Sequence, residues 1–394
     1  MAFTHILDGV TVLDLTQFIA GPVATRQLAA MGAEVIKVEL APAGDQARAL
    51  PLIKNGRSAY YAQQNQGKKG LCLDLRDARG RDLVKRLVPH ADVLIENFAP
   101  GVVGRLGLDW ETVHEINPEL IMCSISAFGQ TGPLADMPGF DFTAQAYTGI
   151  TSMVGEPGEA PPLMGVAIGD VGTSMTAVAA INGALFHRQR TGGPGQYLDM
   201  ALIDFYMLGH SLNVELASAS DGAIQPTRAG SHHGVVAPVG IFRAAEQFIV
   251  ILGVSQDMWL RLVEAMGQPE LAQDPRFLTS KERIENREAL VAIIEAWLQA
   301  QASDAEALRI IQEARVPAAP VLSVAEAIRE PHLLERGTVR WVEDPTVGRF
   351  QIPGMPLRFS DFATEDTGRA PYLGEHNGEV LGRLLGMAEA EVAA

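Results

Sequence analysis

The sequence predicts an α/β protein with a parallel sheet, followed by a smaller domain in which strands come before helices. Compact runs rich in Val, Ile and Leu recur over 10–15, 33–39, 71–75, 91–96 and 120–126, several of them separated by stretches of helical spacing, as βαβ units require. After a polar, small-residue stretch at 218–226 the order changes: two strand-like segments, then three helices. A chain of 394 residues, 47% hydrophobic and 20% charged, has room for two or three domains and is too apolar to be disordered.

The run 10–15 (VTVLDL) is the first strand, 22–31 has helical spacing, and 33–39 (AEVIKVE) is the second strand. The turn between them, Phe18-Ile19-Ala20-Gly21-Pro22, lacks the G-x-G-x-x-G spacing that a dinucleotide phosphate needs there, which argues against nicotinamide or flavin. Lys68-Lys69-Gly70 introduces the strand 71–75, and 77–88 alternates charges with leucines as a surface helix does. The strand 91–96 ends in Asn97-Phe98-Ala99-Pro100-Gly101, with Arg105 just beyond. Ligands of α/β proteins bind at the carboxyl ends of parallel strands, so Lys68, Lys69 and Arg105 are candidate phosphate holders, a solvated basic surface being the alternative. A short helix over 110–116 stops at Asn117-Pro118, the strand 120–126 follows, and Gly129–Pro133 is a glycine-rich loop. Pro138-Gly139-Phe140-Asp141-Phe142 leads into another apolar helix, where Asp141 is either its N-cap or a carboxylate held among aromatic rings.

The stretch 161–195 contains one carboxylate, Asp170, the only charge between Glu159 and His187. It stands at the start of a helix expected to run to Arg190 and to stop at Gly192-Gly193-Pro194. An anion in so apolar a setting is costly unless donors surround it, and a helix start with Gly169 and Gly172 supplies backbone N–H groups. Asp170 therefore reads as a reactive carboxylate or, alternatively, as a plain N-cap. The run 196–210 is apolar, with Asp199 and Asp204 embedded. Arg228-Ala229-Gly230-Ser231-His232-His233-Gly234 precedes strands over 240–243 and 247–252 and helices over 257–266, 281–299 and 304–314; 316–320 closes this smaller domain. From Gly337 onward, strand and turn material carries Gly374-Glu375-His376 into a last helix.

A net charge of -16 argues against a nucleic-acid partner, since phosphate backbones need a basic face. Cys72 and Cys123 lie in strand-like runs and read as buried thiols, not a disulfide. There is no basic-then-apolar leader, and the longest apolar run, 171–186, is interrupted and too short to span a bilayer, so a soluble cytoplasmic protein with no membrane partner is expected. His232 and His233 have no third ligand at metal spacing, so no metal is expected.

Taken together, LDGVTVLDL, the Gly21-Pro22 turn, GAEVIKVE, Asn97-Phe98 with Arg105, Leu108-Asp109-Trp110, Ile116-Asn117-Pro118, Gly169-Asp170, 187–195 and LGEH occur in an order that resembles the class III CoA-transferases, from Leu7 to His376. The resemblance implies a Rossmann-like large domain built from both chain ends (1–217 and 337–394), a smaller α+β domain (226–322), and an interlinked ring-shaped homodimer. It implies that Asp170 is the nucleophile, passing through a mixed anhydride and an aspartyl-CoA thioester, with CoA as co-substrate and no permanently bound cofactor. It also implies CoA contacts at Ile19, Lys68, Lys69, Leu73, Asn97, Phe98, Arg105 and Asp141. The acid is expected at Arg48, His232, His233 and Gly234, with Arg228 a further candidate. A small dicarboxylate such as succinate, itaconate or mesaconate is the favoured acid, with succinyl-CoA or a similar thioester as donor.

The sequence departs from that pattern in places. His233-Gly234-Val235-Val236 stands where formyl-CoA transferase has a run of glycines, and Leu40 where the family has a nucleotide-binding arginine. The α-methylacyl-CoA racemases share the fold and are an alternative reading, but Phe140 replaces the histidine that their chemistry needs before the residue matching Asp141. A non-catalytic CoA-binding protein is the third.

Overall fold

The computed structural model describes residues 4–362 and 368–393. Its largest sheet has six strands in the order Lys69–Leu73, Glu34–Leu40, Thr11–Asp14, Val93–Glu96, Ile121–Ser126 and Tyr197–Ala201. All neighbours pair in parallel. The chain starts in the middle, steps outward to one edge, returns, and steps to the other, so the direction of winding reverses between Thr11–Asp14 and Val93–Glu96. In open parallel sheets the ligand crevice opens beyond the carboxyl ends of the strands at that reversal.

The β-branched and leucine runs fold this way because both faces of the sheet are covered: Val12, Leu13, Val93, Leu94, Ile95 and Ile121 are wholly buried. Leu13, Ile36, Leu71 and Leu94 form one core with Val84 and Leu87 of the helix Ala78–Leu87 and Val380 and Leu381 of Asn377–Leu385. The helix Ala20–Ala30, buried along its length, packs on the long helix Ile168–Thr191. That long helix ends at Gly192, whose left-handed φ of 64° gives the glycine stop expected there.

The chain divides into two compact units: Met1–Thr148, Gly165–Gly209 and Glu330–Ala394 form one, and Gly149–Met164 with His210–Arg329 the other. The first draws on both chain ends. The segment Gly149–Met164 belongs to the second unit, where Ser152 O and Glu156 O accept hydrogen bonds from Arg228. Residues 330–336 join the first unit because the short helix Pro331–Glu335 lies against the strand Val339–Asp344.

In the second unit an antiparallel sheet of Val239–Arg243, Phe248–Leu252 and Ala318–Pro320 packs with helices around Phe242, Ile249, Trp259, Phe277 and Ile294. The helix expected over 281–299 is two, Ser280–Glu285 and Arg287–Gln299, parted at Asn286, whose amide turns back to Glu282 O at 2.9 Å. The apolar run 196–210 divides into a strand and the helix Leu202–Gly209, and the helix Leu212–Ala219 was not foreseen. Among the described residues no helix is long and apolar enough to cross a membrane. Both cysteines are free, Cys123 buried and Cys72 half-buried.

Candidate active site

At the reversal point, buried side chains hold the loop that follows the first strand. Asp14 Oδ1 accepts from Thr16 N–H at 2.9 Å, Lys37 Nζ donates to Thr16 O at 2.6 Å, and Asp45 Oδ1 accepts from Phe18 N–H at 3.1 Å. The Asn97 amide accepts from Gln17 N–H and donates to Gln17 O, both at 2.8 Å. Phe18 has φ of 65°, a left-handed conformation that is strained for a residue with a side chain. Behind the loop lie two buried ion pairs, Lys37 with Asp45 and Lys68 with Asp14, each at 2.9 Å. Burial raises the Asp14 carboxyl, but Lys68 and Lys37 outweigh it and hold the group at about 2. Burial in turn lowers the Lys68 ammonium to about 8.

Asp170 lies in the first turn of Ile168–Thr191, inside the helix and not at its cap; the cap is Ala167, which has no side-chain acceptor to offer. The free helix amides are satisfied from elsewhere. Gly169 N–H donates to Tyr206 Oη at 2.8 Å, and Asp170 N–H donates to Asp141 Oδ2 at 2.9 Å. Tyr206 Oη donates onward to Asp141 Oδ1 at 2.6 Å, and Gln145 Nε2 donates to the same oxygen at 2.5 Å. Close approach requires glycine here: a Cβ at Gly169 would fall 2.2 Å from Tyr206 Cε2. Among the described residues no donor engages the Asp170 carboxylate itself. Burial, reinforced by the charge of Asp141, pushes it up to about 7.

Asp170 is therefore a partly desolvated carboxylate at a helix N-terminus, with its lone pairs unengaged. Asp141 is the first residue of the helix Asp141–Tyr147, and its carboxylate caps the neighbouring helix instead of its own. It is an expected CoA contact, only 5% exposed, with both oxygens engaged by protein donors. Phe140, beside it, meets Phe18 edge-on at 6.0 Å, and Ser174 Oγ, one turn beyond Asp170, donates to Ala20 O and joins the site to the locked loop.

Of the other expected CoA contacts, Ile19, Asn97 and Phe98 sit together at the reversal point. Ile19 precedes the helix Ala20–Ala30, Asn97 grips Gln17, and Phe98 N–H donates to Glu96 Oε2 at 2.8 Å. Arg105 is exposed in the last turn of Val102–Leu106, and Leu73 ends the edge strand. Lys68 is buried against Asp14 and Asn65. Lys69 is held by Glu34 and Glu379 at 2.7 and 2.6 Å. Arg48, expected at the acid, forks onto both oxygens of Glu39 at 2.7 and 2.8 Å.

In the second unit Arg228, His232, His233 and Gly234 line one cleft of about 500 Å³, joined by Arg287, which the sequence did not single out. Burial, then the charge of Arg287, lowers the His232 imidazole, so this ring is neutral at pH 7, while Arg228 and Arg287 bring cations to the cleft. His233 Nδ1 accepts from Val235 N–H at 3.2 Å. Tyr206 and Asp45 also carried no local sequence signal. Their partners lie 65 and 27 residues away along the chain.

The model of CoA-transferase family III matches residues 7–377. The chain belongs to CoA-transferase family III. It is 38% identical over 392 residues to the succinyl-CoA–D-citramalate CoA-transferase of Chloroflexus aurantiacus, covering 98% of this chain and 96% of that one. It is 37% identical to the succinyl-CoA:mesaconate CoA-transferase of Haloarcula hispanica, covering 95% of each. The crystal structure of a CAIB/BAIF family protein from Brucella suis superposes with a TM-score of 0.84 at 36% identity, covering 97% of this chain and all of that one. For a family III chain the chemistry is CoA transfer from a thioester to a carboxylic acid, and CoA is a co-substrate.

Proposed function

We propose that this protein moves CoA from succinyl-CoA to a small dicarboxylic acid, with Asp170 as the covalent nucleophile, working as an interlinked homodimer in the cytoplasm. The observation that carries the reading is the Asp170 carboxylate, raised to about 7 by burial and unengaged at the mouth of a helix. One carboxylate oxygen attacks the thioester carbonyl, the C–S bond breaks, and CoA leaves as thiolate, giving a mixed anhydride. The thiolate then attacks the Asp170 acyl carbon, the donor acid departs as its carboxylate, and an aspartyl-CoA thioester remains. The acceptor carboxylate repeats both steps in reverse, and water takes no part. A poorly hydrated carboxylate is a better nucleophile, and an apolar pocket shields the anhydride.

The dicarboxylate assignment draws on the activities named for the relatives and on Arg228 and Arg287, two cations in one cleft of an acidic protein. His232 and His233 line that cleft as neutral or bonded rings and would shape it, not supply its charge. Ile19, Asn97, Phe98 and Arg105 are the CoA contacts that the reversal point supports. The test is incubation with succinyl-CoA and a panel of labelled acids, followed by hydroxylamine trapping and mass spectrometry. Transfer to dicarboxylates with a mass increase on the Asp170 peptide is expected, whereas transfer without modification of Asp170 refutes covalent catalysis.

A further inference from the structure

We infer that Asp141 is a positioning residue that also acts electrostatically. It fixes Asp170 through its backbone and, as a fixed negative charge, drives Asp170 toward its acylated, uncharged form. The inference rests on the reading of Asp170 as nucleophile.

The long helix brings no acceptor of its own to its N-terminus, since Ala167 occupies the cap. Asp141 and Tyr206 reach it from positions 29 and 37 residues away in the chain and take up the amides of Asp170 and Gly169. The nucleophile is thereby held at the residue whose amide is bonded, leaving its side chain clear. Asp141 itself is held by neutral donors: Tyr206 Oη, Gln145 Nε2 and the Asp170 amide. No lysine or arginine among the described residues forms an ion pair with it. Left without a countercharge, Asp141 penalises the Asp170 anion beside it.

The cost has a chemical use. Free Asp170 carries a negative charge; as anhydride or thioester it carries none. Whatever penalises the anion beside Asp141 therefore favours acylation by the same free energy by which it favours protonation. The titratable groups facing Asp170 from the packed elements are Asp141, Tyr206 on Leu202–Gly209 and Tyr60 on Ala59–Gln64, and burial holds both tyrosines in the neutral form. Asp141 is thus the one charge in that set, and its repulsion vanishes once Asp170 is esterified.

The experiment uses the full-length enzyme, succinyl-CoA as probe, and two variants. Asp141→Asn keeps the size of the side chain and removes the charge. It is expected to lower the fraction of enzyme trapped as the Asp170 thioester at least threefold, and to move the acid limb of the kcat/KM profile down by half a pH unit or more. Tyr206→Phe leaves both carboxylates and removes the hydroxyl that bridges the Gly169 amide to Asp141, so kcat is expected to fall about tenfold with the donor KM unchanged and no downward move of the acid limb. If folded Asp141→Asn forms as much thioester as the parent with an unmoved limb, the electrostatic role is refuted. Unchanged kcat in Tyr206→Phe refutes the clamp, whether or not the first variant folds. A parent enzyme that transfers CoA but never yields the thioester overturns the nucleophile itself, a result distinct from both.

Discussion

Asp170 is ionised only at a cost, and two predictions follow from that cost. Asp170→Ala and Asp170→Asn should each retain less than about a hundredth of the parent transfer rate while remaining folded, measured by chromatography of the CoA esters beside circular dichroism. The pH dependence has a definite sign. The carboxyl titrates at about 7 in the folded chain against the ordinary 3.8 of an aspartate in an open chain, so between those values the folded state binds the extra proton and loses stability as pH rises. Asp170→Asn should therefore melt higher than the parent at pH 8 and nearly level with it at pH 4; the same difference at both pH values would contradict the assigned shift. Under the proposed mechanism activity should run the opposite way, rising toward alkaline pH as Asp170 ionises. Asp170 was legible in the sequence because it stands alone in apolar surroundings. The role of Asp141 was not, because an aspartate at a helix start reads as that helix's own cap, and only the fold reveals that it serves another helix.

Two glycines of the long helix offer an internal comparison at the scale of the element. Alanine is normally the better helix former by about 1 kcal/mol. At Gly183 nothing lies within 4 Å of an added Cβ, so Gly183→Ala should stabilise by up to about 1 kcal/mol. At Gly172 the added carbon would fall 2.1 Å from the Phe205 ring, so Gly172→Ala should instead destabilise by about 1–3 kcal/mol, the cost of overpacking. Urea melts of the two variants decide it, and the same sign in both would show that Phe205 yields freely. Most elements were legible from their period: the strand expected over 33–39 is Glu34–Leu40, and the helix over 110–116 is Trp110–Ile116. The break at Asn286 was missed because the residues on both sides keep helical spacing, and only the backbone of Asn286, at φ -109° and ψ 30°, departs from the helix. The pairing of Ala318–Pro320 as a third strand depends on partners about 70 residues earlier and has no local signature.

For the whole molecule, the lesson of Lys68 is that a basic pair next to a strand reads as surface until its partner is known, and Asp14 is 54 residues distant. Removing one member of a buried pair strands the other, so Lys68→Met should cost about 3 kcal/mol in a denaturant titration; a loss within experimental error would mean that Lys37 alone suffices for Asp14. Side chains such as Leu163, Leu208 and Val324, 70% or more exposed, are in keeping with the homodimer proposed above, and sedimentation should find activity only at dimer mass. The parallel sheet was legible from the order of runs, whereas Gly149–Met164 joins its unit by contacts that local composition does not encode. The loop 16–18 carries a last consequence. Its amides are bonded to Asp14, Asn97 and Asp45, side chains brought together from three separate stretches of the first unit. A surface turn ordinarily exchanges its amide hydrogens with solvent almost at once, whereas these three must wait for the strands around them to part, so the rim of the crevice should keep deuterium time with the core.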